Sequence, residues 1–300
     1  MENAVCQYGN SKEIDKIIDK KLNKEIKCAK IKQKKAIKMF DNLVRAVKYA
    51  GDKLKTDKFS VFSKGGYENI VTSADLWVQE YLYGEIKKDF PDAGFICEEE
   101  HLQNDNSGGY TFIIDPVDGT QNFARGITEF CVSVGVKFKG EIVFGVVYIP
   151  LKNELYTAEK GKGAYLNGER IKTSDRPFGN ALFCAAMSVY KKQYADVCGS
   201  IIMDVYKRCN DTRRFGSCAI ELCYMAKGEV ELFFEFRVFP WDYAAACLIL
   251  REAGGYICAL NGEKLPFDKP SMVLAANNEE NFRNLIDTVN KYVEKIPYSD

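Results

Sequence analysis

Between residues 130 and 171 the chain alternates four apolar-rich segments with turn residues, at 130–138, 141–149, 154–159 and 163–171. Lys139-Gly140 and Asn167-Gly168 are short turn signals, because glycine accepts the left-handed backbone that tight hairpins require. Strand segments clustered this way pair with their neighbours, which predicts an antiparallel sheet. Helical periodicity flanks this region: 39–54 places Phe40, Leu43, Val44, Val47 and Ala50 on one face, and 74–90 carries Leu76, Val78, Tyr81, Leu82 and Ile86 before Pro91 stops it. Beyond residue 180 the pattern changes to strands alternating with helices. Strands are expected at 182–187, 212–215, 230–236, 256–260 and 272–276, and helices at 191–207, 218–228, 241–253 and 281–293. This reads as an α/β layer.

Three hundred residues with 46% hydrophobic and 28% charged content suit one large domain or two packed halves. The formal net charge is zero, so overall electrostatics give no case for nucleic acid or a membrane surface. No apolar run is long enough for a membrane helix, and the first residues lack a signal-peptide core; a cytoplasmic protein is expected. Residues 11–38 are lysine-dense, with Ile14, Ile18, Leu22 and Ile26 at helical spacing; they form either a solvated helix or a contact with an anionic partner. None of the eleven cysteines has CxxC spacing, which argues against zinc-ribbon and thioredoxin-type sites. His101 is the single histidine. A metal site here must therefore be built from oxygens, favouring magnesium, manganese or calcium.

Four acidic segments carry candidate chemistry. Asp115-Pro116-Val117-Asp118-Gly119-Thr120 sets two carboxylates after the apolar stretch 110–114, read as a strand, and before a glycine. Such a segment is either a tight turn or a junction that gathers anions and backbone N–H groups. Cys97-Glu98-Glu99-Glu100 follows a short apolar strand; it is a solvated loop, or a cluster that needs a cation to offset it. Asp242, after Pro240-Trp241, suits the first turn of a helix and can also ligate a metal. Asp75 follows Thr72-Ser73, where a helix begins, and read alone is a surface acid facing the helix dipole.

Together these segments resemble the inositol monophosphatase family, magnesium-dependent and lithium-sensitive phosphatases that include fructose-1,6-bisphosphatases. The similarity covers about residues 40–295, and it is carried by 115–123, 241–255, 71–75 and 95–99. The resemblance implies that Glu98, Asp115 and the Val117 carbonyl hold one metal and that Asp115, Asp118 and Asp242 hold a second. It further implies that Glu99 and Asp75 orient metal-bound water and that Thr120, with Glu98, orients the attacking water. Gly119 and Thr120 N–H groups would hold the phosphate, and Cys218, Glu235 and Asp242 would face the substrate, with Lys64 and Arg214 as further candidates. Arg237 is either a second phosphate contact or an exposed structural arginine. Cys97 and Cys218 depart from the family pattern.

The implied fold is a layered α+β to α/β sandwich, the sugar-phosphatase fold: a Lys-rich extension over 1–38, an N-terminal antiparallel sheet with helices over 39–178, and an α/β half over 179–300. The implied activity is Mg2+-dependent hydrolysis of a phosphate monoester by metal-activated water and in-line displacement, with inositol 1-monophosphate first. Fructose-1,6-bisphosphatase or 3′-nucleotidase activity, or a non-catalytic phospho-ligand-binding regulator, stand as alternatives. Two or three Mg2+ ions are expected, with Mn2+ a substitute and Li+ an inhibitor. The partner is a small phosphorylated polyol or sugar, without nucleic acid or membrane, in a homodimer.

Overall fold

The computed structural model describes residues 40–63, 70–99, 109–187, 192–292 and 294. The Lys-rich segment, Lys64, Glu100 and His101 lie outside them. The backbone divides into Met1–Leu43 and Val44–Asp300, and every described strand belongs to the second unit.

Helix α1 is described over 40–56. A short antiparallel pair comes next, β1 (Val61–Ser63) and β2 (Ile70–Thr72); three-residue strands carry too little periodicity to be read from sequence. Helix α2 (Ser73–Asp89) begins at a reciprocal cap: the Thr72 hydroxyl accepts from the Ala74 and Asp75 N–H groups, and the Asp75 carboxylate accepts from the Thr72 N–H. The helix buries Val78, Leu82 and Ile86. Leu76, expected on the apolar face, is exposed, whereas Asp75 is 1% exposed, unlike the surface acid that its helix-start position suggests when read alone.

The expected antiparallel sheet is present and larger than predicted. Its seven strands are β3 (Gly94–Cys97), β4 (Tyr110–Asp118), β5 (Cys131–Phe138), β6 (Glu141–Ile149), β7 (Glu154–Glu159), β8 (Ala164–Leu166) and β9 (Glu169–Ile171), in chain order across the sheet. All neighbours are antiparallel except β3, which joins the edge parallel to β4. Within 163–171 the turn signal Asn167-Gly168 closes a hairpin of β8 and β9, with both residues at positive φ. Strand β4 does not end at Ile114 but continues through Pro116 to Asp118.

The second sheet is mixed. It contains β10 (Leu182–Ala186), β11 (Asp211–Arg213), β12 (Leu232–Val238), β13 (Tyr256–Cys258) and β14 (Ser271–Ala276), in the order β11-β10-β12-β14-β13. Strands β11, β10 and β12 run parallel, while β14 is antiparallel to both neighbours. Helices α5 (Cys218–Ala226) and α6 (Pro240–Glu252) share one core with both sheets, joining Ile113 and Val147 to Phe233, Val273 and Ala275. The alternate residues Leu232, Phe234 and Leu274 face a second core with α4 (Ala195–Tyr206) and α7 (Glu279–Asn290). This period of two makes the second sheet buried on both faces. The result is a layered α/β sandwich.

Close approach of α6 to the first sheet depends on small residues. Gly135 and Gly145 are cross-strand partners, and a Cβ on Gly145 would lie 2.5 Å from the Ala245 carbonyl oxygen. The helix presents Ala244, Ala245 and Ala246 there, all buried.

Candidate metal and phosphate site

In a regular strand Asp115 and Asp118, an odd number of residues apart, would point to opposite faces. The ladder prevents this. Asp115 pairs with Ser133 and Asp118 with Cys131, so three steps along β4 match two along β5. The extra residue is a bulge, which also accommodates Pro116, a residue without an N–H for the ladder. The bulge resets the phase and brings both carboxylates to one cavity. The Val117 N–H donates to Asp115 Oδ1 at 3.0 Å. Gly119 then turns the chain at φ +92°, where a Cβ would lie 2.8 Å from the Glu129 carbonyl oxygen. The short helix α3 (Thr120–Ala124) comes next. Thr120 Oγ1 donates to the Val117 carbonyl at 3.0 Å and lies 3.5 Å from Asp75 Oδ1.

The parallel edge strand delivers Glu98. Its N–H donates to the Ile114 carbonyl, extending the β3–β4 pairing by a residue and setting Glu98 beside Asp115. Cys97 is fully buried in this ladder, so cysteine here leaves the path into Glu98 regular. Gln79 on α2 grips the backbone of Glu99 from both sides, donating to its carbonyl and accepting from its N–H. Carboxylate oxygens of Asp75, Glu98 and Glu99 lie within 4.8 Å of one another.

Asp118 is held by the other half of the fold. Its Oδ2 accepts from Ser217 Oγ at 2.6 Å and from the Ala219 N–H at the start of α5 at 2.8 Å. Asp242 sits at the third position of α6, where Oδ2 accepts from the Phe239 N–H at 2.6 Å. Both anions thus face helix N-termini, which favour negative charge.

These contacts do not compensate the cluster. Burial, followed by the charges of Glu98, Asp118, Asp242 and Asp75, pushes Asp115 well above the usual carboxylate range. Burial and Asp118 raise Asp242 in the same way. Burial lifts Asp118 to about 6 against the hydrogen bonds from Ser217, Ala219, Cys218 and Gly119. Asp75 also rises to about 6, through burial and Glu99, against its bonds to Thr72. Burial and mutual repulsion thus raise these carboxylates together, and an all-oxygen donor set of this kind suits hard divalent cations. Ser133, across the ladder from Asp115, is fully buried, and its hydroxyl is without a hydrogen-bond partner among the described residues.

The cavity measures about 530 Å3 and is lined by Glu98, Asp115, Val117, Asp118, Gly119, Thr120, Cys218, Glu235, Asp242 and Arg214 among the residues expected there. Asp75 and Glu99 are not in its lining. Arg213, beside Arg214, is outside the lining and pairs with Asp211. Sequence reasoning missed the bond from Ser217 to Asp118, and it missed Glu221. The latter accepts from the Phe215 and Gly216 N–H groups at 2.6 and 3.1 Å, fixing the loop before α5. Burial pushes Glu221 to about 7, and it raises Glu235 to about 8 with the help of Glu221. A serine before a helix reads as an ordinary cap, which Ser217 also is, so no local signal marked its second bond.

A sandwich of two sheets around α5 and α6, with strand ends and helix starts converging on an acidic cavity, defines an α/β protein equipped to hold cations and an anionic ligand. The chain belongs to the inositol monophosphatase family, whose model matches residues 23–294. It is 38% identical to the Nus factor SuhB of Salmonella typhimurium over 226 residues, 73% of this chain and 84% of that protein. It is 34% identical to a fructose-1,6-bisphosphatase/inositol-1-monophosphatase of Thermotoga maritima over 237 residues, 79% and 89% of the two chains. The solved structure of the extragenic suppressor protein suhB from Bartonella henselae superposes with a TM-score of 0.77 at 32% identity, covering 84% of this chain and 98% of that one.

Proposed function

We propose that this protein is a Mg2+-dependent phosphate monoester hydrolase acting on a phosphorylated polyol or sugar, with inositol 1-monophosphate the first substrate. The observation that carries this reading is the convergence of Glu98, Asp115, Asp118 and Asp242 on one cavity, with burial and mutual repulsion raising Asp115 and Asp242. Glu98, Asp115 and the Val117 carbonyl would hold one ion; Asp115, Asp118 and Asp242 would hold the other. When bound, magnesium supplies an activated water and offsets charge on the oxygens of an in-line displacement.

The chain's own groups then have these tasks. Thr120 Oγ1, between the Val117 carbonyl and Asp75, orients the attacking water together with Glu98. Asp75 and Glu99, behind the cavity, orient the remaining waters, with Gln79 fixing Glu99. The Gly119 and Thr120 N–H groups seat the phosphate. Glu235 faces the leaving alcohol, where a carboxylate can accept from a sugar hydroxyl, and Cys218 packs beside it. Li+ is expected to inhibit and Mn2+ to substitute.

The test is Mg2+-dependent phosphate release across inositol, fructose and nucleotide phosphates, comparing wild type with Asp115→Asn. Asparagine keeps an acceptor for the Val117 N–H but removes the charge. Activity should fall by more than about a hundredfold, beyond the loss typical of residues that merely support metal ligands. Full activity in the variant defeats the mechanism.

A second reading comes from the relatives named Nus factor SuhB: the chain serves as a regulator that binds a phosphorylated ligand. Ligand binding without phosphate release from any substrate in the wild type would support it.

A further inference from the structure

The Gly119 and Thr120 N–H groups that would seat the phosphate open α3, a helix of five residues. A helix this short is not held by its own turns. Gly119 gives it no side-chain cap, and none of its residues is buried, so its orientation must be set from outside. The Phe123 ring, edge-on to Phe130 at 5.0 Å, anchors it to the approach to β5. Asn122 carries it across to the other half of the fold. Its side-chain Nδ2 donates to the Glu129 carbonyl and to the Phe215 carbonyl, both at 2.7 Å. An amide NH2 has two hydrogens, so both are used, and two carbonyl acceptors fix which end of the amide faces them. The Glu129 carbonyl lies against Gly119, 2.8 Å from where a Cβ would stand. The Phe215 carbonyl belongs to the loop before α5, where Ser217 holds Asp118 at 2.6 Å and Glu221 ties the Phe215 and Gly216 N–H groups. Gly216, at φ +81°, makes room for the amide: a Cβ there would lie 3.1 Å from Asn122 Nδ2 and 3.3 Å from its Oδ1. The Asn122 backbone carbonyl accepts from the Arg125 and Ile127 N–H groups and closes the turn after α3. Asn122, Gly216 and Ser217 all line the cavity.

We propose that Asn122 is a positioning residue: it sets the aim of the Gly119 and Thr120 N–H groups, and of Thr120 Oγ1, against the Asp118–Ser217 side of the cavity. This rests on the hydrolytic reading and assigns the alignment of the phosphate to a residue outside the ligand sets given for the ions and the substrate. Asp115 and Asp118 lie upstream on β4 and keep their own bonds to Val117, Ser217 and Ala219. Loss of the Asn122 amide therefore spares the acidic cage and lets α3 turn away from it.

The test compares Asn122→Ala, which removes both donors, with Asn122→Gln, which keeps them on a longer stem. On a substrate that the wild type turns over, kcat should fall about 10- to 100-fold in Asn122→Ala, the scale of a misplacement of up to about 1 Å. Asn122→Gln should recover part of it. KM should change less than kcat, and Mg2+ affinity, followed by tryptophan fluorescence, should match the wild type. Gly216→Ala reaches the same joint from the other side, because its methyl group presses on the Asn122 amide. It should lower kcat by itself and add little in the Asn122→Ala background, where no amide is left to displace. An unchanged kcat in Asn122→Ala, a loss of Mg2+ affinity as large as the loss of kcat, or additive effects of the two substitutions overturns the proposal. Calorimetric titration of inorganic phosphate into the Mg2+-loaded protein separates it from the hydrolytic reading. If the wild type binds phosphate but releases none from any substrate, the hydrolase falls. Phosphate binding about tenfold weaker in Asn122→Ala then keeps the positioning role, and equal binding ends that too. Turnover by the wild type with no change in Asn122→Ala sinks the positioning role and leaves the hydrolase standing.

Discussion

Asp118 is the residue at which two kinds of support meet. Its backbone comes from β4 and its Oδ2 is held from α5 by Ser217 and Ala219, which leaves Oδ1 for the cavity. Ser217→Ala removes one of these bonds and also the side-chain cap on the Ile220 N–H. Loss of the cap should cost about 0.5–2 kcal/mol of stability. Loss of the bond to Asp118 should weaken Mg2+ binding about 10- to 100-fold, the usual effect of removing a group that orients a ligand. Thermal unfolding reads the first effect and a magnesium titration followed by tryptophan fluorescence reads the second. A variant that binds Mg2+ as the wild type does would show that Ser217 only caps α5. Glu221 works in the same region without touching an ion, tying the Phe215 and Gly216 N–H groups and so fixing the turn that presents Ser217.

At the scale of elements, the position of Asp242 depends on how closely α6 lies on the first sheet. The Gly135–Gly145 pair opens that space. Gly145→Ala would bring a methyl group to 2.5 Å from the Ala245 carbonyl oxygen, which is backbone and cannot swing away. We expect a loss of about 1–3 kcal/mol, as for other overpacked cores. We also expect weakened Mg2+ binding, because moving α6 carries Asp242 away from Asp115. Gly140→Ala is the control: its glycine stands in the β5–β6 turn of the same sheet, and a Cβ there meets nothing within 4 Å. Its φ of +81° adds local strain without displacing α6, so it should lower stability and leave Mg2+ affinity alone. Equal loss of affinity in both variants would contradict the role given to α6.

Over the whole molecule the gathered carboxylates make stability depend on pH and on cations together. Asp75 and Asp118 rise to about 6 and Glu221 to about 7, against roughly 4 in an unfolded chain. The folded, metal-free protein therefore keeps protons that the unfolded chain releases. That contribution is complete below about pH 4 and is lost as pH rises through about 6 to 7. Without Mg2+, the unfolding temperature should therefore fall between about pH 5 and pH 8. Cations favour the ionised carboxylates, so the stabilisation by saturating Mg2+ should be larger at pH 8 than at pH 5.5, read by calorimetry. A Mg2+ effect that is the same at both values would argue that no ion occupies the cage.

The acids themselves were legible in the chain because their local settings are local events: an apolar strand before Glu98, a turn glycine after Asp118, a helix start at Asp75 and another at Asp242. Strand periodicity and glycine turns likewise announced most of the first sheet, since hairpins join neighbours in sequence. Leu76 is exposed against its expected burial because a helix face shifts with its packing partner. The β1–β2 pair, the parallel pairing of β3 with β4 and the mixed order β11-β10-β12-β14-β13 were not legible, because pairing between distant segments leaves no mark on either one alone. The bulge that turns Asp115 and Asp118 to the same side and the grip of Ser217 on Asp118 belong to that tertiary level. A short stretch of chain determines which chemical groups exist and how its own backbone bends, but their distances across the cavity are decided only when the sheets and α6 pack.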